Sequence, residues 1–183
     1  METIEMKILD PTRHGTYAVS LVENPAMEED FIYLSVEEVE LSFNEEQGMI
    51  YGVVMTPDKK VLRQKPNGEK YNIFFTAETI KESAHLFLSR QQNNNATLAH
   101  ETPTQGVSFV ESWIVEDPKN DKANALNLNA IKGSWILGAK ITDEQIKADI
   151  KAGKFKGFSI EARYEKEETL AEKLSALVDR FND

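Results

Sequence analysis

Val39-Glu40-Leu41-Ser42-Phe43, followed by Asn44-Glu45-Glu46-Gln47-Gly48 and then Met49-Ile50-Tyr51-Gly52-Val53-Val54-Met55, decides the fold class. The first five residues alternate apolar and polar, the period of a half-buried strand. The middle five are turn chemistry. The last seven form an apolar run rich in β-branched side chains, which reads as a strand buried on both faces. Together they predict a hairpin with a longer loop.

The same signals recur on both sides. Tyr17–Val22 reads as a strand and is broken at Asn24-Pro25-Ala26, because a residue before proline is pushed away from helix. Phe31–Leu34 reads as a further extended stretch. Thr56-Pro57-Asp58 and Lys65-Pro66-Asn67-Gly68 are turns flanking a weak strand at Val61–Arg63, and Tyr71–Phe75 is the next strand. Thr76 predicts a helix N-cap over Ala77–Arg90, with Ile80, Ala84, Phe87 and Leu88 on one face. Ala96–Glu101 and Val107–Val115 read as strands around a turn at Pro103 and Gly106. Trp135–Ile141 is a strong strand. Thr142-Asp143-Glu144-Gln145 matches a capping box, and its helix ends at Gly153. Phe155–Tyr164 is the last strand, and Glu165–Asp183 reads as a charged amphipathic helix with Leu170, Leu174, Leu177 and Phe181 at helical spacing. The prediction is an α+β, mainly β chain: a closed or nearly closed sheet with helices packed outside, residues 1–164 as the domain and 165–183 as a C-terminal helix.

The 183 residues suit one domain, and 40% hydrophobic residues suffice for a core. No apolar run approaches the about 20 residues that cross a bilayer. The first residues lack the pattern of a secretory signal, so no membrane partner and a cytosolic location are expected. There are no cysteines, which excludes disulfides, thiolate metal sites and cysteine nucleophiles. The three histidines, His14, His85 and His100, show no zincin spacing, so neither a metal nor another cofactor is expected. A formal net charge of −10 argues against nucleic acid, whose phosphates require a basic face.

A serine nucleophile needs a general base within hydrogen-bond reach and commonly a third group that orients the base. His14 reads as an exposed turn residue and His85 as a helix residue at a boundary or partly buried. His100 ends an apolar strand, where a base is both held and reachable. Ser159 stands on a strand between Phe158 and Ile160, and Gly157, two residues earlier, leaves room on its face. The glycine after the serine that an α/β-hydrolase elbow needs is missing.

Ala18–Ala26, His100-Glu101, Val107–Val115 and Lys154–Glu161, in that order along the chain, resemble the phage prohead serine proteases of the XkdF type, over about Val19 to Tyr164. That family is similar in fold to the herpesvirus assemblins, so the resemblance implies a small β-barrel wrapped by two to four helices. It also implies a serine endopeptidase that cleaves scaffold and major capsid proteins, and commonly itself, during phage head maturation. Its place would be the host cytoplasm, inside the prohead, with a homo-oligomer open. Carried over, Ser159 matches the nucleophile and His100 the base. For the third member Glu111 is the first choice: it follows His100 across a predicted hairpin, and alternation with Phe109 and Trp113 puts it on the core side, where a carboxylate needs a partner. Asp117 and Glu161 are its rivals. Ala162 stands where related chains often have glycine. Two other readings compete: a non-enzymatic virion structural or cargo protein on the same barrel, and a ligand-binding barrel lined by Trp113, Trp135 and Phe158.

Overall fold

Alternation and turn chemistry become twelve strands and three helices in the computed structural model, which describes residues 1–23 and 41–167. In chain order these are β1 (Thr3–Lys7), β2 (Gly15–Val22), β3 (Ser42–Asn44), β4 (Met49–Met55), β5 (Val61–Gln64), β6 (Lys70–Phe74), α1 (Ala77–Ser89), β7 (Ala96–Leu98), β8 (Thr102–Thr104), β9 (Val107–Ile114), α2 (Lys122–Ala125), β10 (Trp135–Ile141), α3 (Glu144–Lys151), β11 (Gly157–Arg163) and β12 (Glu165–Lys166). The extended stretch at Phe31–Leu34 and the leucine-rich tail helix lie outside the described residues.

The strands form three four-stranded sheets, ordered β12-β1-β6-β5, β3-β4-β10-β9 and β11-β2-β7-β8. The mainly β class is as expected, but the closed barrel is not found: among the described residues no sheet closes on itself. Closure needs an unbroken ladder around the whole circuit. Here β3, β7 and β8 are three residues each. β8 also carries Pro103, which has no N–H to pass the ladder onward and so belongs at an edge.

One apolar core joins the sheets. Phe87 of α1 packs edge-on against Phe109 and Trp135, at 5.9 and 5.6 Å between ring centres, and Phe109 meets Phe158 at 5.7 Å. Trp135 and Phe158 are thus core fillers rather than the lining of an open barrel. Gly52 of β4 lets the layers close up, since a Cβ there would lie 2.9 Å from Phe158 and from Leu41. A second, smaller apolar cluster includes Tyr51, Val53, Val115 and Ile136, with Trp113 packed against it.

The caps follow local chemistry, with one shift. Thr76 caps α1, accepting from the Thr79 amide. For α3 the cap is Asp143, which accepts from the Ile146 amide at 2.9 Å, instead of the expected Thr142. Thr142 is held in the sheet direction because its N–H donates to the Gly106 carbonyl. At the far end Gly153 takes φ +70°, and the bonds Gly153 N–H to Ile150 and Lys154 N–H to Asp149 complete a Schellman motif.

Candidate active site

Strand register assembles the site. In the β11-β2-β7-β8 sheet, Ser159 pairs with Ser20, and Ser20 with Thr97. Directly paired residues project from the same face. Val19, Leu21, Phe158 and Ile160 face the apolar core, so Ser159, Ser20 and Thr97 share the opposite face. Glu161, two residues beyond Ser159, joins them, because the register shift in β11 falls only after it. Ser159 and Ser20 are fully buried, and Glu161 is nearly so.

His100 reaches this face from a turn. The strand before it ends at Leu98, earlier than the expected Glu101, and Leu98–Glu101 closes a tight turn through Glu101 N–H to the Leu98 carbonyl. Both central residues are left-handed, Ala99 at φ +50° and His100 at φ +61°. That is the condition of the mirror-image hairpin turns, which match strand twist. Neither residue is glycine, so the turn holds strain of about 1–2 kcal/mol per residue. Strain of this kind persists where surrounding bonds over-determine it.

Those bonds are specific. His100 Nδ1 lies 3.2 Å from Glu161 Oε1, and the Thr97 hydroxyl donates to the same oxygen at 2.5 Å. The His100 N–H donates to Ser20 Oγ at 2.9 Å. The histidine side chain retains 4% of its exposure. Because a carboxylate only accepts, the proton of this contact sits on Nδ1, which leaves Nε2 as the ring nitrogen that can serve as a base. Burial acts to raise the Glu161 carboxyl, but the hydrogen bonds from His100 and Thr97 and the histidine charge outweigh it and hold it below its ordinary range. Among the described residues the Ser159 hydroxyl makes no hydrogen bond. A buried hydroxyl left so costs about 1–3 kcal/mol and calls for an explanation.

The structure therefore sets His100 against Glu161 on the sheet face that also bears Ser159, and it puts Glu111 elsewhere. A bulge explains this. Opposite β10, Gly138 pairs with Glu111 but Ala139 pairs with Phe109, so Val110 is the extra residue and the alternation inverts across it. Phe109 then faces the core, while Glu111 accepts from the Tyr51 hydroxyl at 2.9 Å and pairs with Lys122. Lys122, mainly by hydrogen bonding, holds the Glu111 carboxyl low despite partial burial. The Lys122 ammonium also sits over the Tyr51 ring at 4.3 Å and the Trp113 ring at 5.5 Å. Asp117 is bound within its own turn, to Asn120 and the Lys119 amide.

The remaining histidines differ from expectation in exposure. His14 is buried, not exposed: its Nδ1 accepts from the Leu9 and Asp10 amides at 3.2 and 3.1 Å, and its Nε2 faces Glu165 at 3.3 Å. It closes the Leu9–His14 loop. His85 is exposed on α1. Ser20 and Thr97 were not singled out in the sequence. Their only signal is strand register with Ser159, which a single chain does not display. Among the described residues no group of three or more His, Asp or Glu could hold a metal ion.

Comparison with known proteins gives one finding. The family model described as "Putative phage serine protease XkdF" matches residues 36–168, well over half of the chain. No curated protein and no solved structure matches.

Proposed function

Because this chain belongs to the XkdF family of phage serine proteases, we propose that it is a serine endopeptidase acting through Ser159, His100 and Glu161. One observation carries the reading: an imidazole anchored to a carboxylate on the sheet face that bears a buried, unbonded serine hydroxyl. His100 Nε2 takes the Ser159 proton as Oγ attacks the peptide carbonyl. Glu161 stabilises the imidazolium and keeps its Nδ1 proton in place, and Thr97 holds Glu161. The imidazolium then protonates the departing amine, and water, activated by the same nitrogen, releases the acyl group. We further propose that the substrates are phage scaffold and major capsid proteins, and the chain itself, cut inside the prohead during head maturation. Homo-oligomerisation belongs to the same proposal.

The complete burial of Ser159 favours a second reading, a non-enzymatic virion protein that keeps the family fold without its chemistry. Co-expression with scaffold and capsid proteins separates the two. The wild type should produce discrete fragments, and Ser159→Ala and His100→Ala, each checked for a native circular dichroism spectrum, should not. Full cleavage by either folded variant refutes the assignment. No cleavage by the wild type favours the virion protein.

A further inference from the structure

We infer that Ser20 is a positioning residue, whose buried hydroxyl clamps the His100 turn onto the strand beside Ser159. The inference rests on the reading of Ser159 and His100 as nucleophile and base. Ser20 and Ser159 stand opposite one another in register, and both are fully buried. Their hydroxyls are used differently. Ser20 Oγ accepts the His100 N–H at 2.9 Å and directs its own proton to the Thr97 carbonyl at 3.2 Å, the Leu21 carbonyl lying further off at 3.4 Å. Ser159 makes no such bonds. Ser20 is thus occupied on both its donor and its acceptor side, which removes it as a rival nucleophile and gives it another task.

That task follows from the turn. Ala99 and His100 are both left-handed without being glycine, and the chain needs bonds that hold them there. Ala99 is tied by its N–H to the Leu21 carbonyl, and the turn is closed by Glu101 N–H to Leu98. The third tie is His100 to Ser20, and it links the backbone of the base to a side chain on the strand paired with Ser159. Ser20 therefore sets where the imidazole stands relative to both Glu161 and Ser159. Without the hydroxyl the turn can relax. A shift of about 1 Å in a reacting group can lower a rate about 100-fold.

The test compares wild type, Ser20→Ala, Ser20→Thr, Ser20→Val and Ser159→Ala. Thr and Val have the same shape and differ by the hydroxyl, and both suit a strand. Two readouts are taken: steady-state cleavage of purified phage scaffold protein, and long-range imidazole nitrogen NMR of the His100 tautomer. The Ala and Val variants should lose about 10- to 100-fold in kcat with little change in KM, as expected for misplaced groups. Their His100 signals should pass from one tautomer to a mixture, while His14 and His85 stay unchanged. Thr should restore both readouts. Wild-type kcat or an unchanged His100 tautomer in Ser20→Ala overturns the inference. So does failure of both Ala and Val to fold while Thr folds, which would make the hydroxyl a determinant of the fold. Wild-type cleavage no faster than that of Ser159→Ala would instead overturn the protease reading, and the tautomer would still decide the role of Ser20.

Discussion

Replacing Glu161 by Gln removes one charge and almost no volume, so it isolates what the carboxylate does for His100. Oε1 receives both the His100 Nδ1 bond, at 3.2 Å, and the Thr97 bond, at 2.5 Å, and an amide oxygen can accept both. The ground state therefore loses only the difference between charged and neutral acceptors, about 1 kcal/mol. The reacting state loses more, because His100 becomes an imidazolium beside a group no longer charged. At 3.2 Å and an effective dielectric of about 20, unit charges attract by about 5 kcal/mol, which bounds the effect from above near 10⁴-fold. A fall in kcat of about 10³-fold is expected, with KM little changed, since Glu161 is nearly buried and acts through His100. The assay is scaffold cleavage beside urea denaturation of the same samples. The stability gap has its own pH signature. The Glu161 carboxyl is held below its ordinary value of 4.5, so its contribution is complete above that pH and fades as pH falls through the depressed value. Wild type and Glu161→Gln should converge in stability in that acid window and differ by a constant amount above it. A Gln variant that cleaves at the wild-type rate would refute the role of the carboxylate. A stability gap that widens in acid would refute the account of Glu161 as a charged acceptor.

Further expectations concern other parts of the fold. Gly138→Ala would place a Cβ 2.6 Å from the Tyr51 ring and 3.0 Å from Glu111 Cβ, and should cost about 1–3 kcal/mol in chemical denaturation. His14→Ala would leave the Leu9 and Asp10 amides without their acceptor and should destabilise by about 2–3 kcal/mol while leaving scaffold cleavage intact. Tyr164 is pushed up to about 12 by burial, against the opposing bonds with Ser83 and Thr16, so ultraviolet titration should show one tyrosine ionising only with alkaline unfolding. Tyr164→Phe should remove that late phase at about 1–2 kcal/mol of stability, because Ser83 and Thr16 remain 3.0 Å apart and keep each other.

Features that depend on neighbours along the chain are legible in the residues alone. The Val39–Met55 alternation identified the hairpin, whose first strand runs from Ser42 among the described residues; Thr76 identified the start of α1; and Gly153 identified the end of α3. Local pattern also put Phe158 and Ile160 on one face and Ser159 on the other, because the strand period is two and is visible in seven residues. Four short motifs in order along the chain pointed to the family and, through it, to His100 and Ser159. The tertiary structure alone decided which carboxylate meets His100. Glu111 appeared core-facing because alternation was extended through Val110, and a single bulge there inverted it. Glu161 reaches the imidazole because β11 and β7 both lie beside β2, a pairing across more than sixty residues of chain. The same holds for Ser20 and Thr97, and for the open sheets that replaced the expected barrel. Register and closure are set by which strands find one another, a non-local choice made by the folded core, and no periodicity within one strand encodes its neighbour.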